Sequence, residues 1–152
     1  MKKKTAWVPE ALYKKILAHV PLPCTDIVIM SRGKFLLGKR KNKPAQGTWW
    51  FVGGRVNKGE RMEAAVRRHI KTETGVSKVK IKKQLGARET IFKNSAQGPA
   101  SHTINVIFLA EIPYVPAVIP ADSENSEMRW FSKIDPKWPG YVKDMLKIAG
   151  FK

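Results

Sequence analysis

The spacing of apolar residues changes several times along the chain, and each change predicts an element. Leu12, Ile16, Leu17 and Val20 recur at helical spacing, so a short amphipathic helix is expected over 9–20. Pro9 suits its first turn, and Pro21-Leu22-Pro23 should stop it. Asp26 to Met30 and Lys34 to Arg40 are strand-like and flank Ser31-Arg32-Gly33, the pattern of a hairpin. The polar stretch 41–48, with Pro44 and Gly47, reads as a loop. Trp49 to Val52 then forms a short apolar strand running into Gly53-Gly54.

A longer helix is expected over 60–74. Met62, Ala65, Val66, His69 and Ile70 fall on or near one face, and Gly75 is a natural terminator. Segments 78–87 and 102–112 are strand-like, and 93–99 between them reads as a loop. Proline punctuates 113–120, a last short strand is expected over 129–132, and 136–149 holds a helix interrupted at Pro139-Gly140. Strands alternating with helices predict an α/β fold, a mixed sheet flanked by helices.

Composition narrows the class. The chain has 152 residues, of which 43% are hydrophobic, enough for one domain over 1–152 with a packed core. No apolar run approaches the ~20 residues that span a bilayer. Met1-Lys2-Lys3-Lys4 leads into Thr5 to Glu10 and lacks the apolar centre of a secretion signal. Cys24 is the one cysteine, so no internal disulfide can form, and a cytoplasmic location is expected.

The formal charge is +17, from 29 basic and 12 acidic residues. Such an excess can steer anionic substrates or hold nucleic acid nonspecifically. The basic residues are spread through the chain, with no RNA-binding signature and no zinc spacing, so a solvated basic surface is expected rather than a nucleic-acid partner.

The chemistry concentrates between Gly38 and Val76. Gly54 and Glu60 are followed, eight residues on, by Arg68-His69-Ile70-Lys71-Thr72-Glu73-Thr74-Gly75-Val76. This resembles the Nudix box, a loop–helix–loop over 54–76 that holds magnesium against a diphosphate. Gly54, Glu60, Arg68, Ile70, Glu73, Gly75 and Val76 fit the box, whereas His69 and Thr72 stand where it has glutamates. The segment before it, Gly38-Lys39-Arg40, then Pro44-Ala45-Gln46-Gly47, then Gly53-Gly54-Arg55-Val56, resembles one branch of that family, GDP-mannose mannosyl hydrolase, which lacks the same two glutamates. The resemblance covers roughly residues 26–76.

What the resemblance implies is specific. The fold would be the Nudix α/β/α sandwich with a mixed sheet. The reaction would be hydrolysis of a sugar C1–oxygen bond in a nucleoside diphosphate sugar, releasing GDP and free sugar with inversion. Gly53, through its backbone carbonyl, and Glu73 would hold Mg²⁺. Arg40 and Arg55 would neutralise the leaving diphosphate, each with a fixed fork of donors. Asp26 matches an acidic residue that organises the family site, and Glu60 with Arg68 would form an orienting ion pair. The family places glutamine, a metal ligand, and histidine, a general base, before an Arg-Trp pair. Counting back from Arg129-Trp130 puts Glu124 at the ligand place and Asn125 at the base place. Asparagine cannot accept a proton at neutral pH, so Glu127 or Glu124 is the candidate base.

Three residues keep two readings each. His69 lies four residues before Glu73 on one helix face, either as a nitrogen ligand, which would suit Mn²⁺ or zinc better than magnesium, or packed against or hydrogen-bonded to Glu73. Trp49 and Trp50 alternate sides of a strand, so at most one faces a pocket; Trp50 is taken as the substrate-binding one. Three functions follow: a magnesium-dependent hydrolase of nucleoside diphosphate sugars, a Nudix pyrophosphohydrolase attacking phosphorus, or a nonenzymatic nucleotide-binding module. The family is often dimeric, which makes a homodimer an expectation of the resemblance.

Overall fold

The computed structural model describes residues 8–94, 100–120 and 123–152. Its elements are α1 (Glu10–His19), β1 (Leu22–Ser31), β2 (Lys34–Arg40), β3 (Trp49–Trp50), β4 (Val52–Arg55), α2 (Met62–Thr74), β5 (Lys80–Phe92), β6 (Ser101–Glu111), β7 (Asn125–Phe131) and α3 (Gly140–Ile148). The strands form one sheet in the order β3-β2-β1-β6-β5, with β4 also pairing β1 and β7 also pairing β2. The β1–β6 pair is parallel and the others are antiparallel, so the sheet is mixed.

Alternation along the strands builds two cores. Ile27 and Ile29 of β1, Leu36 of β2, and Phe108 and Ala110 of β6 pack with Val66 and Ile70 of α2. Their neighbours Val28, Phe35, Leu37, Ile107 and Leu109 pack with Val142, Met145 and Leu146 of α3. Successive side chains point to opposite faces, so α2 and α3 cover opposite sides of the sheet and the molecule is an α/β/α sandwich. A third, smaller cluster joins Leu17 of α1 to Leu22 and Cys24 at the start of β1. Among the described residues, no helix is long and apolar enough to cross a membrane.

Several boundaries differ from expectation. β1 begins at Leu22, within the prolines expected only as a stop, because Leu22 and Pro23 pair with Thr103 and Ile104 of β6. The Pro23 carbonyl also accepts the Val56 N–H at 3.0 Å, so the proline sits where only its oxygen is needed. β5 continues to Phe92 along β6, past the expected end at residue 87. β7 starts at Asn125 rather than 129, zipped onto β2 from Phe35↔Phe131 to Arg40↔Asn125. α3 is uninterrupted: Pro139 precedes its first turn, and the Pro139 carbonyl accepts the Lys143 N–H. Of the loop expected over 93–99, residues 95–99 lie outside the described residues, as does the basic N-terminal run.

Candidate active site

A cleft of about 540 Å³ opens over the first half of β1. Tyr13 of α1, Asp26 of β1, Arg40 at the end of β2, Trp50, Gly53 to Arg55, the α2 residues Arg68, His69, Thr72 and Glu73, and Glu124 all line it. Seven of the eight residues singled out for chemistry or binding are thus brought together; Glu127 is not among them.

The box loop is tied down by polar bonds. Glu60 takes both forks of Arg68, at 2.8 Å from Nε and 2.8 Å from Nη2, and accepts the Asn57 N–H at 3.1 Å. This is the expected ion pair. Arg68 holds the Glu60 carboxyl below the usual carboxylate range, and Glu60 raises the guanidinium in turn. Arg68 also donates to the Arg55 carbonyl at 3.0 Å. His69 bonds the same carbonyl through Nε2 at 3.1 Å, so its hydrogen-bond partner is the loop backbone rather than Glu73. Burial, with the Arg68 charge adding to it, lowers the His69 pKa and favours the neutral ring.

Two glycines let this loop close on the sheet. A Cβ on Gly53 would lie 2.2 Å from the Thr25 carbonyl oxygen and 2.7 Å from Asp26 Oδ1. Gly54 has φ +151°, and a Cβ there would press on the His69 ring at 2.9 Å. Gly53-Gly54 is therefore fixed by close packing of β4 on β1 and on α2.

The carboxylates differ in setting. Asp26 is 7% exposed, and its loss of hydration pushes its pKa up to about 6. The hydrogen bond from Tyr141 and the charge of Arg40 oppose that rise. Glu73, at the end of α2, accepts the Ser123 hydroxyl at 2.9 Å. Glu124 is exposed on the cleft, with its own carbonyl accepting the Lys41 N–H.

The arginines are held from behind. Arg40 donates through Nε to the Pro44 carbonyl at 2.7 Å, which folds loop 41–48 against it. A register shift in the β2–β7 pairing falls at Lys39/Arg40, where an irregular strand can re-aim a side chain. The Arg55 guanidinium sits 4.4 Å over the ring of Tyr13. Trp50 lies between Tyr141, stacked at 5.1 Å, and the edge of Phe92 at 5.9 Å. Trp49 turns away to Phe131 at 5.0 Å.

Glu127 requires a correction. The strand expected only from residue 129 already holds Glu127, which pairs across from Lys39 while its carboxylate binds Arg129. That places it outside the cleft. Asn125 is turned onto β2: a Cβ on Gly38 would lie 2.5 Å from its Cγ. Sequence reasoning missed Tyr13, Ser123 and Tyr141. Tyr13 had a usable signal, an aromatic on the helix face shared with Leu17. Ser123 and Tyr141 meet their partners 50 and 115 residues away, and no local pattern reports that.

Among the described residues, no three of His, Cys, Asp and Glu gather into a preformed metal cage. Glu73, Glu124 and the Gly53 backbone nonetheless give one cleft an all-oxygen donor set. That suits a magnesium ion, which binds through one or two carboxylates and completes its shell with water and substrate phosphate.

Known proteins resemble this chain in sequence and fold. The family model described as NUDIX domain matches residues 21–145. The low-salt glycan biosynthesis protein Agl8 of Haloferax volcanii is 33% identical over 95% of this chain and 92% of its own. An ADP-ribose pyrophosphatase of Methanocaldococcus jannaschii is 37% identical over 60% of this chain and 52% of its own. In structure, a MutT NUDIX hydrolase from Burkholderia pseudomallei superposes with a TM-score of 0.67 at 24% identity, covering 85% of this chain and 98% of that one.

Proposed function

The chain belongs to the NUDIX domain family, whose hydrolases generally use divalent metal ions, and from that premise we propose that it hydrolyses nucleoside diphosphate sugars, of the GDP-mannose type, at the sugar C1–oxygen bond. The observation that carries the proposal is that Arg40, Arg55, Glu73 and Glu124 line a single cleft while the box has lost two carboxylates. His69, in one of those places, bonds the Arg55 carbonyl, and Thr72, in the other, is uncharged. A site with this charge suits neutralising a departing diphosphate better than activating water at phosphorus. The name of the Haloferax relative, a glycan biosynthesis protein, supports a sugar-bearing substrate.

In this reading Arg40 and Arg55 bind the diphosphate oxygens and stabilise their growing charge as the C1–oxygen bond breaks. Glu73, Glu124 and the Gly53 carbonyl hold a magnesium ion, which when bound neutralises further diphosphate charge. Trp50 offers an indole face to the sugar or base. Water attacks C1 and its proton must leave. With Glu127 bound to Arg129 and Asn125 turned onto Gly38, Asp26 is the cleft carboxylate not assigned to the metal, and it takes that proton.

The Methanocaldococcus relative favours a second reading, cleavage between the two phosphorus atoms. Incubation of GDP-mannose with protein and magnesium in oxygen-18 water decides between them. Label in free mannose with unlabelled GDP is expected. Label on a phosphate, with mannose 1-phosphate and GMP as products, establishes attack at phosphorus. Binding without turnover leaves a nucleotide-binding module.

A further inference from the structure

Tyr141 is the second residue of α3 and stands behind the cleft, outside its lining. Its hydroxyl donates to Asp26 Oδ2 at 2.6 Å. Its ring stacks on Trp50 with centroids 5.1 Å apart and planes 12° from parallel. A third contact, edge-on to Phe51 at 6.0 Å, fixes the ring from the side.

Trp50 is poorly fixed by its own strand, whereas the Asp26 backbone is paired on both sides, to Gly53 of β4 and Ile107 of β6, and only its carboxylate is left to be oriented. Trp50 lies on the two-residue strand β3, whose pairing with β2 is Gly38↔Trp50 and Lys39↔Trp49. So short a pairing leaves the indole orientation to its neighbours. Asp26 is buried and presents two acceptor oxygens, and an unsatisfied one is costly. Its Oδ1 faces the Gly53 backbone, so Oδ2 is the oxygen that Tyr141 secures.

We propose that Tyr141 is a positioning residue: its hydroxyl fixes the Asp26 carboxylate and its ring fixes the Trp50 indole, locking the two as one unit to α3. The inference rests on the assignment of Asp26 and Trp50 to the reactive cleft made above. Its two halves separate chemically. Tyr141→Phe keeps the ring and drops the hydroxyl, whereas Tyr141→Leu drops both.

The test reads two nuclear magnetic resonances on ligand-free, full-length protein. The Asp26 carboxyl carbon is assigned with Asp26→Asn and the Trp50 indole N–H with Trp50→Phe. Tyr141→Phe is expected to move the Asp26 resonance. Tyr141→Leu is expected to move both, with the Trp50 shift well beyond that in the phenylalanine variant. Kinetics should split in the same way. Loss of one hydrogen bond to a charged group lowers kcat about 10-fold in Tyr141→Phe with KM within about twofold. Tyr141→Leu also raises KM. An unmoved Asp26 resonance in Tyr141→Phe, or an unmoved Trp50 resonance in Tyr141→Leu, overturns the proposal. Tyr141→Met replaces the leucine variant if circular dichroism shows that it does not fold. Wild-type protein that hydrolyses no nucleotide sugar sinks the hydrolase reading alone, since the resonances still decide the positioning.

Discussion

The two walls of the cleft are built on different scales of the chain. The box wall closes on itself: Arg55, Asn57, Glu60, Arg68 and His69 bond one another across at most 14 residues. The opposite wall is assembled at long range, with Tyr141 reaching Asp26 across 115 residues and Ser123 reaching Glu73 across 50. The first is polar and braced by an ion pair, and the second is largely aromatic, with Trp50 held between Tyr141 and Phe92. A locally bonded wall keeps its shape wherever its motif is written. A wall assembled from distant elements can change its partners without changing the motif, which makes it the place for specificity to vary.

Glu73 is where the walls meet, since it lies on the box helix and accepts from Ser123, so the largest effect is expected there. Glu73→Gln should lower kcat on the order of 100-fold and raise the magnesium needed for half-maximal rate. Initial rates across a magnesium titration check this, and full activity removes Glu73 from the metal site. The two arginines then sharpen the comparison, because Arg55 belongs to the box wall and Arg40 to the other. Arg40→Ala and Arg55→Ala should each cost about 100-fold in kcat if the diphosphate bridges the walls. A loss confined to Arg55→Ala places the leaving group on the box wall alone.

The same contrast explains what could be read from sequence. The resemblance to the Nudix box marked Glu60 and Arg68 as an ion pair, and that pair forms because both partners lie within one loop and one helix. The mixed α/β class was legible in strands alternating with helices and the three layers in the resemblance, while the structure shows how Ile27 and Ile29 go to one core and Val28 to the other. Glu127 reads as a candidate base in the sequence because the last strand is expected to begin only at residue 129, and the earlier pairing of β7 with β2 is a tertiary fact. Tyr141 was invisible because its partner lies at the other end of the chain. The turn ahead of it, Pro139-Gly140, reads locally as a break in a helix when it is the start of one.

Acid separates the walls by sign. Asp26, raised to about 6 from 3.8, favours folding when protonated. Its contribution is full below its unfolded value of about 4 and is lost as pH rises through about 6. Asp26→Asn should therefore gain stability over wild type between pH 4 and 7, by up to roughly 3 kcal/mol for a shift of about two units. Glu60 runs the other way, since Arg68 holds its carboxyl low. Its contribution is present above the ordinary carboxylate value of about 4.3 and disappears as pH falls through the depressed one. Glu60→Ala strips the partner of Arg68 and of the Asn57 N–H, and should cost about 2 kcal/mol at pH 7 and progressively less as pH falls through the depressed value. Thermal unfolding of both variants across pH tests the pair, and matching signs would break the distinction.

The smallest effect is expected where α1 touches the box wall. Tyr13 lies under the Arg55 guanidinium at 4.4 Å, a half-buried contact worth about 0.5–1 kcal/mol. Burial raises the Tyr13 pKa, the Arg55 charge opposing it, so the ring stays neutral at working pH and offers an intact π face. Tyr13→Leu keeps an apolar contact with the α1 cluster but removes that face. It should cost about 2- to 5-fold in kcat/KM for a nucleoside diphosphate sugar, and nothing further once Arg55 is alanine. The double variant settles whether α1 acts through the arginine. If Tyr13→Leu costs as much without Arg55 as with it, the tyrosine touches the substrate itself, and α1 becomes a third wall of the cleft rather than a brace for the first.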